Sequence, residues 1–282
     1  MGSWAAENIL DFIQHEVVIN NFKEINMKKR IVFTALLIAT AFISASAHDM
    51  WIAPESYNLK KGEALKATFP SAHVFPATDK EYVKKDTMTD TTIITPKGKS
   101  GKVSSWKEDT LQSRKLNEEG TYLIVSGNNG GFYTKTTDGK SERKPKDEVS
   151  NAAKGTYSKK FTKSLISVGN AGGSAFSKVT GQALEIIPLE NPALLKTGDQ
   201  LSVKVLLNGK PYETELNATY DTYSKEKNAF AQKVKTDSNG VGRIKLSNNG
   251  AWLLRTVNKV PYSDPKKADE QSYTATLTFS IR

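Results

Sequence analysis

The chain has 282 residues, 40 Lys/Arg against 30 Asp/Glu for a net charge of +10, and no cysteine. The absence of cysteine excludes disulfides, thiolate metal sites and cysteine nucleophiles together. The lysines are scattered, as at Lys84-Lys85, Lys159-Lys160 and Lys266-Lys267, and read as solvated surface rather than a nucleic-acid footprint.

Residues 1–26 read as an upstream extension outside the fold. Residues 27–47 have the form of a secretory signal: Lys28, Lys29 and Arg30, an apolar run from Ile31 to Ile43, then Ala45-Ser46-Ala47 as a cleavage site. The apolar run is too short for a stop-transfer helix, and no later stretch reaches spanning length. Cleavage is expected between Ala47 and His48, giving a periplasmic protein with no transmembrane segment. Residues 1–47 carry four basic and four acidic side chains, so their loss leaves the charge at +10 over the remaining 235 residues. That length suits one or two domains with a real core.

From Met50 onward the pattern is β. Short alternating or β-branched runs are cut by Gly, Pro, Asn and Asp about every ten residues, the signature of sandwiches. Expected strands are Met50-Ala53, Ala64-Phe69, Thr91-Thr95, Leu111-Lys115, Gly120-Ser126, Phe132-Thr136 and Thr162-Val168. Ala183-Pro188, Gln200-Leu207, Glu215-Tyr223, Ala229-Thr236, Val241-Lys245, Ala251-Lys259 and Ser272-Ile281 follow. Turns fall at Lys61-Gly62, Asn208-Gly209, Ser238-Asn239-Gly240 and Asn249-Gly250. Asp138 to Lys160 is polar and helix-tolerant, and Gly169 to Ser177 is Gly/Ser-rich, so a seam is placed near Gly181. The reading is all-β: an N-terminal β-rich, sandwich-like domain over residues 48–180, then an immunoglobulin-like or transthyretin-like sandwich over 181–282.

Three histidines are present, and His15 falls in the discarded region. Cleavage would make His48 the first residue, so one residue would offer both a free α-amine and a ring Nδ1 for a chelate. A strand, a turn at Lys60-Lys61-Gly62 and a returning strand would carry His73 back toward it. Asp49 completes the candidate set, although alternation along a strand points it away from His48. Two or three nitrogens with a carboxylate suit Cu(II) or Ni(II), and zinc tolerates them. Met50 shares the strand face with His48 and offers a thioether, or else a core side chain.

Other constellations read as structure. Trp51, Trp106 and Trp252 lie in apolar-patterned runs and belong to a core. Asp237-Ser238-Asn239-Gly240 lacks the downstream acid of a calcium loop and reads as a hairpin turn. No Gly-x-Ser-x-Gly elbow occurs, and Glu185 and Glu190, flanking Pro188, do not suit a shared site. No enzymatic activity is expected.

One resemblance runs through residues 48–282. His48-Asp49-Met50-Trp51 directly after a signal peptide, Ala72-His73-Val74-Phe75-Pro76, Leu184-Glu185-Ile186-Ile187-Pro188-Leu189 with Asn191-Pro192, Gly250-Ala251-Trp252-Leu253 and Ala275-Thr276-Leu277-Thr278-Phe279 carry it. In their order and spacing they resemble a bacterial periplasmic family of unknown function. Its members often occur beside nickel/cobalt uptake systems as an accessory component. The resemblance implies a metal-linked periplasmic protein using His48 and His73, with transporter components as partners and nickel, cobalt or copper as the ion. Many relatives carry a further histidine just after the Trp-Leu strand, where this chain has Val257-Asn258-Lys259. The alternatives are a metal-free binding or adhesion module of the envelope and a copper-dependent oxidative enzyme.

Overall fold

A computed structural model describes residues 48–77, 81–103 and 105–282. The upstream extension and the signal segment lie outside the described residues. Among those described, every regular element is a strand or a short 3-10 turn.

The largest sheet is organised by two long strands, Ala152–Val168 and Glu270–Ile281, which pair in parallel from Thr156 opposite Glu270 to Ser164 opposite Thr278. On one side the sheet continues antiparallel through Gly250–Pro261, Glu215–Tyr220 and Gln232–Lys235. On the other it continues through Gly120–Gly127, Thr91–Ile94 and Ser100–Val103. Successive side chains in a strand face opposite ways, so a strand buried on both faces must be apolar or satisfied on both. Gly120–Gly127 meets this demand with Tyr122 and Ile124 on one face and Leu123 and Val125 on the other.

Each face of the sheet carries its own core. Leu123, Phe161, Leu165, Leu254, Leu277 and Phe279 pack against the strands Leu184–Pro188, Gln200–Leu207 and Val241–Lys245. On the opposite face, Tyr122, Ile124, Ile166 and Val168 pack with Leu65 and Leu111 of a second small sheet and with Met50, Ile52 and Phe69. The all-β reading with two sandwiches therefore holds, and the two sandwiches share their middle sheet. Residues His48–Arg282 form one compact unit. Gly181 lies in the connection leading to Leu184–Pro188, while strands from both sides of it pair in the shared sheet.

The tryptophans lie where their patterns put them. Trp51 and Trp252 are buried, and Trp106 stacks on Phe69 with centroids 5.4 Å apart. Asn208 and Gly209 both have positive φ, 50° and 76°, as a tight Asn-Gly hairpin requires. Asp237 Oδ1 accepts from the backbone N–H groups of Asn239 and Val241, both at 2.9 Å, which makes that segment a hairpin turn.

Candidate functional site

The strand Asp49–Met50 pairs antiparallel with Ser71–Ala72, with Asp49 opposite Ala72 and Met50 opposite Ser71. One further step in that register sets His48 opposite His73. Their rings stack with centroids 4.2 Å apart and planes 28° from parallel. The returning strand expected from the sequence thus brings the two imidazoles together.

The segment behind His48 is strapped across the shared sheet. Thr276 donates its hydroxyl to the Met50 carbonyl at 2.7 Å, and Thr278 to the Ile52 carbonyl at 2.8 Å. The Ile52 N–H donates to Thr162 Oγ1 at 3.1 Å. Asp49, Met50, Trp51 and Ile52 are all buried, none more than 5 % exposed. Chain ends fray where nothing fixes their backbone; here the fixed backbone reaches the residue after His48. His48 itself is half-buried.

Asp49 is not drawn to the imidazoles. Its Oδ1 accepts from Arg255 Nε at 2.7 Å, and the Arg255 guanidinium lies 5.7 Å from the centroid of the Phe230 ring. Alternation turns Asp49 toward the shared sheet while His48 faces away. Met50 is buried in the core cluster with Ile52 and Leu65, which removes its sulfur from the imidazole pair.

His73 is held below the ordinary histidine pKa of 6.5, first by desolvation and then by the neighbouring His48. A side-chain hydrogen bond with Asn228 and the charge of Asp49 oppose the shift, and Lys227 adds to it. The Asn228 backbone N–H also donates to the His73 carbonyl at 2.8 Å. His73 Nδ1 is buried without a hydrogen-bond partner. Buried polar atoms are nearly always satisfied, so such an orphan calls for an explanation. A neutral imidazole with an unused nitrogen beside a second imidazole has the chemistry of a transition-metal donor pair.

The side chains do not complete a site by themselves. Among the described residues, no three His, Asp or Glu side chains are grouped closely enough to hold an ion. Glu81 Oε2 lies 3.9 Å from His48 Nε2. Glu81, Arg255 and the three threonines did not stand out in the sequence. Arg255 and the threonines at 276 and 278 act on residues more than 200 positions away, and no local pattern announces that. The two carboxylates near Pro188 are separate: Glu185 faces Lys163, and Glu190 Oε2 accepts from the Ser202 N–H at 2.8 Å.

A family model described as a domain of unknown function, DUF4198, matches residues 45–260. A search of curated proteins finds no match. Among solved structures, the D0-D1 domain of intimin is 14 % identical, covers 83 % of this chain and 98 % of that one, and has a TM-score of 0.21. Murine CEACAM1b is 9 % identical, with coverage of 83 % and 100 % and a TM-score of 0.20. A two-domain fibronectin type-III segment of chicken tenascin is 12 % identical, with coverage of 81 % and 97 % and a TM-score of 0.19. At TM-scores this low, none of these likenesses carries an argument about fold or function. Among the described residues, no helix is long and apolar enough to cross a membrane.

Proposed function

The chain belongs to the DUF4198 family, and on that premise we propose that it is a periplasmic accessory protein that binds a divalent transition metal for an uptake system. The ion is nickel, cobalt or copper, and it is cargo rather than a cofactor for chemistry of the protein's own. His48, as the mature N-terminal residue, and His73 hold it, and Asp49 positions the strap through Arg255.

One observation carries this reading: His48 and His73 stack at 4.2 Å on a backbone that is fixed up to the neighbouring residue. Desolvation and the neighbouring His48 hold His73 toward its neutral form, which keeps a lone pair free. A divalent ion is the partner such a pair lacks. Processing would add the α-amine next to His48 Nδ1, and the two nitrogens would close a chelate ring. Unprocessed, the same nitrogen is an amide and a poor donor.

Metal titration of two purified forms tests this. Protein beginning at His48 should bind one Ni(II) or Cu(II) per chain, and protein retaining a preceding methionine should bind far more weakly. Affinity should fall as pH drops below about 8, because the amine, with an ordinary pKa of about 7.7–8.0, must lose its proton to bind. Equal binding by both forms would sink the terminal-histidine reading.

A further inference from the structure

We propose that Lys163 and Glu185 condense into an intramolecular isopeptide bond, a covalent staple between the shared sheet and the sheet packed on it. Lys163 belongs to the long strand Ala152–Val168, and Glu185 to Leu184–Pro188 of the facing sheet. Their side chains meet inside the core with exposures of 2 % and 1 %, and Lys163 Nζ lies 2.5 Å from Glu185 Oε1. The residues level with Lys163 on the two neighbouring strands, Val125 and Leu277, are apolar. Among the described residues, its one other acceptor is the Ile186 carbonyl, at 3.4 Å. An amine and a carboxyl group are thus held together with water kept out, and fixed proximity of this kind removes most of the entropic cost of a reaction between them.

The surroundings favour the reaction as well as the encounter. A dry interior penalises charge, so transfer of a proton from Nζ to the carboxylate, which leaves a neutral amine beside a neutral acid, costs far less here than in water. Burial pushes the Lys163 amine down to about 8, against the pull of Glu185. Thr180 donates both its backbone N–H and its hydroxyl to Glu185 Oε1, each at 2.6 Å. Those donors point at the oxygen that gains negative charge when Nζ adds to the carboxyl carbon. In the step itself the Nζ–Cδ bond forms and the Cδ–Oε2 bond breaks. Two of the three ammonium protons leave with Oε2 as water, and the third stays on the amide nitrogen, so no other reactant is consumed. The product is a neutral amide in place of two buried charges. The ion pair is its precursor and keeps the energetics of an ion pair until the bond closes. In a chain without cysteine, this amide supplies the cross-link that disulfides cannot, whatever the imidazole pair binds.

Intact-mass spectrometry tests this on folded protein held at mildly alkaline pH and denatured just before each measurement. Wild type should accumulate a species one water lighter than its sequence, and protease digestion should release a branched peptide joining the segments around Lys163 and Glu185. Wild type kept unfolded in urea over the same period should retain its full mass. So should folded protein carrying Lys163→Met with Glu185→Leu, in which the pair is replaced by apolar side chains. Thr180→Val should slow the loss of water by about tenfold or more while the circular dichroism spectrum stays that of wild type. If folded wild type keeps its full mass throughout, the staple is overturned. If the double variant also becomes one water lighter, the bond is not between these two residues and the assignment is overturned. If Thr180→Val condenses at the wild-type rate, the part given to the Thr180 hydroxyl is overturned.

Discussion

Lys163 and Glu185 face each other where almost no solvent reaches, with side-chain exposures of 2 % and 1 %. Lys163 Nζ donates to Glu185 Oε1 at 2.5 Å, and the same oxygen accepts from the Thr180 N–H and hydroxyl, both at 2.6 Å. Desolvation pushes Lys163 down from 10.5 to about 8, against the pull of Glu185. Buried pairs of this kind cost desolvation to form, and removing one partner strands the other charge. Lys163→Met alone should therefore destabilise the fold by about 3–5 kcal/mol, whereas Lys163→Met with Glu185→Leu should come close to neutral. Urea unfolding of the two variants separates these outcomes. The pH dependence has a definite sign. Between about pH 8 and 10.5 the unfolded chain holds the proton that folded Lys163 has lost, so this residue's contribution to stability rises with pH across that window. The double variant should lose that slope. No local pattern announces the pair, since a lysine inside an alternating strand reads as solvent-facing. By contrast, His48 and His73 were legible because histidine is so scarce in the chain.

Among the elements, the strap from Asp49 to Ile52 matters most for the site. Its backbone is held by side-chain hydroxyls of the shared sheet rather than by a long ladder. Thr162→Val keeps the shape of the side chain and removes the acceptor for the Ile52 N–H. An orphaned buried donor of this kind costs about 1–3 kcal/mol. The expected result is a lower Tm and faster hydrogen exchange at the Ile52 amide, with the far side of the sheet unaffected. Wild-type protection at that amide would show that the hydroxyl is not what holds the strap. Other elements were readable in the sequence to different degrees. The alternation of the last strand and the Asn-Gly turn gave Glu270–Ile281 and the Asn208-Gly209 hairpin closely. The long strand Ala152–Val168 was half missed, because its first nine residues are polar and resemble a linker. They are extended because both neighbours demand it: Gly131–Thr136 pairs on one side and Glu270–Ile281 on the other. Hydrophobic periodicity cannot report a strand whose partners, rather than its own burial, decide its conformation.

At the scale of the molecule, one sheet serves two cores, and this sets what can stand alone. Residues 181–282 expressed separately would lose Ile94, Leu123, Phe161 and Leu165 from their core. They would also leave Glu270–Ile281 without its parallel partner. Such a fragment should show no cooperative thermal transition by circular dichroism, while the span from His48 to Arg282 should melt in a single step. A sharp melt of the fragment would show that the second sandwich is self-sufficient. The threonine straps have a consequence for the order of events as the chain is made. Thr276 and Thr278 each bind a carbonyl 226 residues earlier, so the strap can be fastened only after both threonines have been synthesised. Contacts of such sequence separation slow folding and delay its completion. Until the strand Glu270–Ile281 emerges, the apolar run Met50-Trp51-Ile52 lacks these fastenings, and whatever accompanies the nascent chain must shield it while the intervening 226 residues are made.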